Sequence, residues 1–356
     1  MRKGNLKVIF VFIFLLGFVY GHAQNLQPVC QNFNTTDYIE DQEFHCGVAD
    51  NRGTVYFGTN FGVLVYKGER KAKAKGWDFL LLPDADIIYS LYLDTVQNRL
   101  YVGGEKELGY FELSNYYTGK YVSLNHLRSG EIKNTQVWHI NSVNGKLVFH
   151  TIKGLLVYDN NKFEILPAPA DAIFHNVFEY QPGKLLINTI TKGWHVYDGK
   201  LTALKGSELL PQDKCYGVLG SMQPEHYLLF YRNSGVYNVW LQDKSISNVK
   251  KVSSDSFDQF LSETQVYSTI YSGRIDYLLL GTLNKGTFIV KNTEIPGPEY
   301  FDTKNIISET SPATNIKSTL GFFADKKKNV WVLGKTNLSI LPADISMYYS
   351  ELAGVT

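Results

Sequence analysis

Short apolar runs follow one another along the chain in pairs, and a polar turn carrying glycine separates the members of each pair. The clearest copies occupy 53–66 and 276–290. In the first, Val55-Tyr56-Phe57-Gly58 leads through Asn60 to Gly62 and then Val63-Leu64-Val65-Tyr66; in the second, Leu278-Leu279-Leu280-Gly281 leads through Asn284 to Gly286 and then Thr287-Phe288-Ile289-Val290. The runs are rich in β-branched and aromatic residues and too short for helices, so each reads as a strand. The paired pattern returns about every 45 residues. That is the period of a β-propeller built from four-stranded blades.

Seven such units account for the chain. Their innermost strands are expected near 44–49, 87–94, 137–140, 173–177, 215–218, 265–269 and 316–324. The turn anchors Gly62, Gly109, Gly154, Gly193, Gly235, Gly286 and Asn337 lie 47, 45, 39, 42, 51 and 51 residues apart. Asn replaces Gly at the last anchor because both tolerate a left-handed backbone. The sequence therefore predicts an all-β fold, a seven-bladed β-propeller of four-stranded antiparallel blades over 24–345, with 346–356 as a loosely held C-terminal tail. Segment 32–38 is expected to pair with blade seven, closing the ring and hiding its edges. No long stretch combines a 3.6-residue period with capping residues, so no helix of consequence is expected.

The first residues depart from this pattern. Arg2, Lys3 and Lys7 precede an apolar run from Val8 to Tyr20, and Gly21-His22-Ala23 offers a small-x-small cleavage site. Residues 1–23 read as a secretory signal peptide, with Gln24 as the first mature residue and the product periplasmic or secreted. No later apolar run approaches ~18 residues, so no transmembrane helix is expected after cleavage. Loss of three basic groups takes the formal net charge from +1 to −2, and a near-neutral surface argues against nucleic acid as a partner.

Aromatic residues at 14% suit sheets that bury both faces between blades. Trp138, Trp194 and Trp331 stand inside strands and read as core, the alternative being a platform on which a sugar stacks. Cys30, Cys46 and Cys215 are too few and too scattered for a disulfide scaffold or a metal cluster. Pairing of Cys30 with Cys46 is open in an oxidising compartment, with three unpaired thiols as the plainer reading.

The stretches 50–66, 102–111 and 329–334, together with Tyr38, resemble two-component regulator propeller repeats. The resemblance covers most of 26–342, strongest in blades one and two and weakest in blade five. It implies an exported propeller of the kind that forms the periplasmic sensing part of transcriptional regulators and hybrid histidine kinases in Gram-negative bacteria, with a membrane-bound signalling partner. Members usually continue into more blades, a triple-tyrosine immunoglobulin-like domain, a membrane helix and a kinase or helix-turn-helix domain. This chain stops at Thr356 without them, so the resemblance implies a truncated product or a separate binding module. Its motifs are scaffold residues and carry over no catalytic set.

Candidate chemistry follows from topology. Turns between the second and third strands of every blade emerge on one face, and here they hold Asn60, Lys106, Lys153, Lys192, Arg232, Lys285 and Lys335. Six basic residues around one mouth would focus a positive potential suited to a carboxylate, sulfate or phosphate. The plainer reading is a set of solvated turn residues, with Glu105 and Glu107 partly cancelling the field. Links between blades bring Asp84, Asp86, Gln136, Asp171, Asp213, Gln265 and Asn315 to the same face, as strand-end caps or as partners for sugar hydroxyls or an ion. The eight histidines show no metal-ligating spacing, and no nucleophile elbow or phosphate-binding loop occurs, so neither catalytic residues, nor a metal, nor a cofactor is expected. The leading expectation is a non-catalytic ligand-sensing propeller of a signal-transduction regulator, recognising an oligosaccharide or an anionic small molecule. The alternatives are an exported polysaccharide lyase or glycosidase, which needs clustered acid and base groups, and a protein-interaction scaffold, which needs a broad apolar patch.

Overall fold

The computed structural model describes residues 26–33, 38, 42–68, 76–84, 86–113, 119–221, 223–272, 277–291, 301–345 and 347–349. The leader expected at 1–23 and tail residues 350–356 lie outside them. The described strands form the seven four-stranded antiparallel sheets of a propeller, with one further two-stranded pair. Inner strands Phe44–Ala49, Ile88–Asp94, His139–Val143, Phe174–Gln181, Cys215–Gly220, Val266–Tyr271 and Thr319–Ala324 surround a central channel. The inner strand of blade seven packs against that of blade one, so the ring closes.

Closure uses the start of the chain. Gln31–Phe33 is the outer strand of blade seven, paired antiparallel with Leu338–Leu341. In this latch Asn32 and Phe33 pair with blade seven as expected of segment 32–38, whose residues 34–37 lie outside the described ones. A second joint lies beside it, where Leu26–Pro28 pairs with Met347–Tyr349, beyond the boundary drawn at 345.

Seven apolar clusters fill the seven gaps between consecutive blades. Between blades one and two, for example, Tyr56, Val63 and Val65 meet Ile88, Leu100 and Val102; between six and seven, Leu279 and Ile289 meet Ile316, Val330 and Val332. Because each middle strand faces two clusters, Val55–Thr59 and Gly62–Tyr66 have no exposed position, whereas the outer strand Lys162–Pro167 alternates exposed with half-buried residues up to its last turn. The closing seam is the most aromatic. Phe33 from the latch stacks on Trp331 at 5.6 Å and meets Tyr66 edge-on at 5.2 Å, contacts that add to area burial.

Two expectations need correction. A helix does form, Asp255–Thr264, in the link between blades five and six. Ser254 caps it by accepting from the Phe257 N–H, acidic Asp255 and Asp258 occupy its first turn, and Phe257, Leu261 and Thr264 are buried. Phe257, Phe260, Leu261 and Thr264 have helical spacing, but one short helix is easily overlooked among strands. The second correction concerns the turn anchors. Gly62, Gly154, Gly193, Gly235 and Gly286 have φ from +69° to +150°, as required, yet Gly109 and Asn337 do not have positive φ. In their blades a tighter turn forms, with Gly104 N–H donating to Glu107 O and Gly334 N–H to Asn337 O at 2.8 and 2.9 Å. Asn337 therefore does not stand in for a left-handed glycine.

Candidate functional site

The inner strands do more than close the ring. In six of the seven blades the first residues carry a β-bulge: Phe44 and Cys46 pair with the second strand while His45 is skipped, and Tyr89, His175, Tyr216, Tyr267 and Leu320 are skipped in the same way. In blade three Trp138 holds the corresponding place, just ahead of the ladder, with its N–H donating to His150 O at 2.9 Å. A bulge breaks the strict alternation of side chains and re-aims one of them. All seven residues line one central cavity of about 880 Å³, within the usual range for small-molecule sites.

The result is a collar of six aromatic side chains around the mouth, His45, Tyr89, Trp138, His175, Tyr216 and Tyr267, completed by Leu320. Tyr89 and Trp138 stack at 4.3 Å with a 23° interplanar angle, and His45 meets Tyr89 edge-on at 5.5 Å. On the other side His175 meets Tyr216 at 5.3 Å, and Tyr216 tilts against Tyr267 at 5.5 Å. Second contacts fix the collar. Tyr89 OH donates to Glu105 Oε2 at 2.7 Å while Gln136 Nε2 donates to Oε1 at 3.1 Å, and these bonds hold the Glu105 carboxyl below its usual range. The Arg232 guanidinium lies over the Tyr216 ring at 4.2 Å, a cation–π contact, with Nε donating to Val266 O at 3.2 Å.

The cavity wall is short of internal partners. His45 Nε2, Ser90 Oγ, Trp138 Nε1, His175 Nδ1, Ser268 Oγ and Thr269 Oγ1 belong to lining residues and find no protein hydrogen-bond partner. Buried polar atoms of this kind are normally satisfied, so water or a ligand is the natural complement. Burial holds His139 and His175 down to about 4, in the latter case helped by Lys214 and Arg232, and lowers His45 as well. The imidazoles are neutral at pH 7. Among the described residues Glu43 is the one carboxylate in the lining, and it pairs with Lys335 at 3.2 Å.

Of the basic residues expected at the mouth, Lys335 reaches the lining. Lys106, Lys153, Lys192 and Lys285 are exposed, and what the turns use is their backbone. Lys153, Lys192 and Lys285 N–H groups donate to Thr151, Thr189 and Thr282 hydroxyls at 3.3, 3.2 and 3.1 Å. Those hydroxyls donate onward to the carbonyls of Gly154, Gly193 and Gly286. Lys106 N–H goes to Asp86 Oδ2 at 3.0 Å, and Asn60 Oδ1 accepts from Glu43 N–H at 2.9 Å. Asp86 and Asp213 in the links cap neighbouring turns, the latter through Asn233 N–H and Ser234 OH. Trp194 and Trp331 are core at 1% and 2% exposure, whereas Trp138 is half-buried in the collar. Cys30, Cys46 and Cys215 are free thiols, and burial pushes Cys46 and Cys215 up to about 12.

No protein-family model matches the sequence, and no curated protein matches it. Solved propellers share the fold. The extracellular domain of a candidate hybrid two-component system from B. thetaiotaomicron is similar over 89% of this chain at TM-score 0.58 and 16% identity; this chain corresponds to 39% of that one. A catalytically inactive virginiamycin B lyase from Staphylococcus aureus with quinupristin aligns over 88% of this chain and 99% of its own at TM-score 0.63 and 11% identity. The WD40 propeller domain of Doa1 aligns over 92% and 98% at TM-score 0.58 and 13% identity. The architecture thus serves in extracellular domains of two-component systems, in a lyase and in a WD40 domain, and function has to be argued from the site.

Proposed function

We propose that this chain is an exported ligand-sensing propeller of a signalling system, non-catalytic in itself, which holds a small molecule in the collar at the channel mouth. The observation that carries the reading is the bulge repeated in six blades, which turns His45, Tyr89, His175, Tyr216, Tyr267 and Leu320 toward one cavity. Aromatic walls with a few unmatched hydroxyl and N–H groups suit a flat or ring-shaped ligand such as a sugar of an oligosaccharide, or an anionic small molecule. The likeness to extracellular domains of two-component systems supports the signalling part, with a membrane-bound protein as the partner. Among the described residues a single carboxylate lines the cavity, already ion-paired, which favours a binding role over the acid–base pair of a glycosidase.

Trp138 supplies the test. Titrating the purified protein with a panel of oligosaccharides and small organic acids should change its indole fluorescence, and Trp138→Ala should weaken binding about tenfold or more. Binding unaffected by Trp138→Ala and Tyr89→Ala would remove the collar from the site. The histidines that line the same cavity keep a lyase in view. That reading requires product to form from a bound ligand and to stop with His175→Ala.

A further inference from the structure

Where two blades meet at the mouth, the residue that opens the turn after one blade's second strand comes close to the residue that heads the next blade's inner strand. Between blades seven and one these are Lys335 and Glu43, an ion pair at 3.2 Å. Between blades two and three they are Glu105 and Gln136, hydrogen-bonded at 3.1 Å. The same two positions between blades three and four hold Ile152 and Ile173. They adjoin, because Phe174 N–H donates to Ile152 O at 3.0 Å. Ile152 is 38% exposed and Ile173 52%, and both line the central cavity. Trp138 of the collar is bonded to the same blade, two residues before Ile152, through His150 O. Scattered apolar residues on a surface need no explanation, but an exposed apolar pair set into a cavity wall marks a contact for something else. Blades one to three separate this pair from Lys335 and Glu43 on one side and blades four to seven on the other, so the two junctions face each other across the mouth.

We propose that the Ile152–Ile173 lip is a subsite for an aryl group attached to a sugar ring in the collar, so that the ligand is an aryl glycoside. The inference rests on the collar being the binding site. The polarity of the mouth sets the orientation. Sugar hydroxyls turn toward Lys335 and Glu43, which donate and accept, and the aryl group covers the two isoleucines, removing apolar surface from water. A hydroxyl placed at the lip instead would give up its water without gaining a side-chain partner from either isoleucine. A ring fits better than a long chain, because the exposed residues next to the lip in sequence, Lys153 and Asp171, are charged. The apolar surface is therefore two side chains wide. Isoleucine is stiff about its first side-chain bond, so covering the lip costs little rotamer freedom.

Glycosides that differ only in the attached group separate the lip from the collar. Phenyl, octyl and methyl β-glucosides, and the same three β-galactosides, are titrated calorimetrically below micelle formation. The proteins are the wild type, the double variant Ile152→Ser with Ile173→Ser, and Leu209→Ser, which changes an exposed apolar residue outside the lining. For one of the two sugars the phenyl glycoside should bind at least about tenfold more tightly than the methyl glycoside. The double variant should erase that advantage with methyl glycoside binding unchanged, and Leu209→Ser should keep it; thermal melting confirms that both variants are folded. Phenyl and methyl glycosides binding alike, an octyl advantage larger than the phenyl one, an advantage that survives the double variant, or one lost equally in Leu209→Ser overturns the aryl subsite and leaves the collar intact. Binding of none of the six compounds overturns both.

Discussion

Two sets of residues recur around the ring on the same face, and they behave in opposite ways. In blades one, three, four and six the turn between the second and third strands repeats one chemistry, a Thr three or four residues before Gly, because its hydroxyl, a backbone N–H and its left-handed glycine close a hydrogen-bonded loop. The bulge at the head of the inner strand repeats a geometry and varies the side chain: His45, Tyr89, His175, Tyr216, Tyr267 and Leu320. A repeated residue in a repeat protein reports what the backbone requires. A repeated position with changing residues reports what the ring is free to use.

The contrast can be broken most severely at the turns. Gly286→Val should cause the largest loss of stability, because φ there is +72° and a Cβ would stand 2.2 Å from Ile316 O. The strained backbone alone costs about 1–3 kcal/mol. Gly62→Val, with φ +137° and Leu80 O at 3.1 Å from the added Cβ, should follow at a smaller cost. Urea midpoints of the two variants order them, and a Gly286→Val protein as stable as the wild type would sink the turn assignment.

Acid should act next, through the wall of the channel. His139 and His175 titrate near 4 when folded, below the ordinary value of 6.5, so the unfolded chain takes up protons first. Stability is fully present above pH 6.5 and is lost as pH falls from there toward 4, by at most about 3 kcal/mol per histidine. Melting temperatures across that window should drop in the wild type and drop less in His139→Gln. A profile that is flat from pH 7 to 4 would contradict a neutral, buried His139.

At the collar, Tyr89→Phe removes the bond to Glu105 and should lower stability by about 1–2 kcal/mol while weakening ligand binding, since Tyr89 backs Trp138. Smallest of all, Lys153, Lys192 and Lys285 replaced together by Ala should change stability by less than about 0.5 kcal/mol. Their effect belongs to association rate and its salt dependence. If that triple variant instead abolishes binding at every salt concentration, the lysines hold the ligand directly and the order of importance proposed for the mouth is reversed.

The unequal legibility of fold and site has the same origin. Strand pairs around glycine turns repeat often enough to count blades, and each copy confirms the others. The collar is hidden in the same repeats. Nothing in Trp138 or His175 taken singly separates a channel residue from a core residue, and Trp194 and Trp331, equally strand-borne, are core. Superposing the seven repeats would have exposed it, because the residue after the first buried position of the inner strand is aromatic in blades one to six: His45, Tyr89, Trp138, His175, Tyr216 and Tyr267. The lysines recur as conspicuously as the strands do, but they recur where a solvent-facing turn tolerates any polar side chain. The helix at Asp255–Thr264 was readable from Ser254 and the 257, 260, 261, 264 spacing, but its ten residues fall within one link.

The latch has a consequence in time. Ser339 OH donates to Asn32 across 307 positions of sequence, and Gln31–Phe33 finds its neighbour in blade seven. A chain emerging amino end first presents that strand with an open edge and with Phe33 uncovered until the last blade has arrived. Blades one to six can assemble by adding neighbours, whereas the final seam waits on a loop closure that spans nearly the whole ring. The seam is also where Phe33, Tyr66, Trp77 and Trp331 crowd together. The interface that forms last is thus given the heaviest aromatic packing, and an unfinished ring is an exposed strand awaiting either its own end or that of another copy.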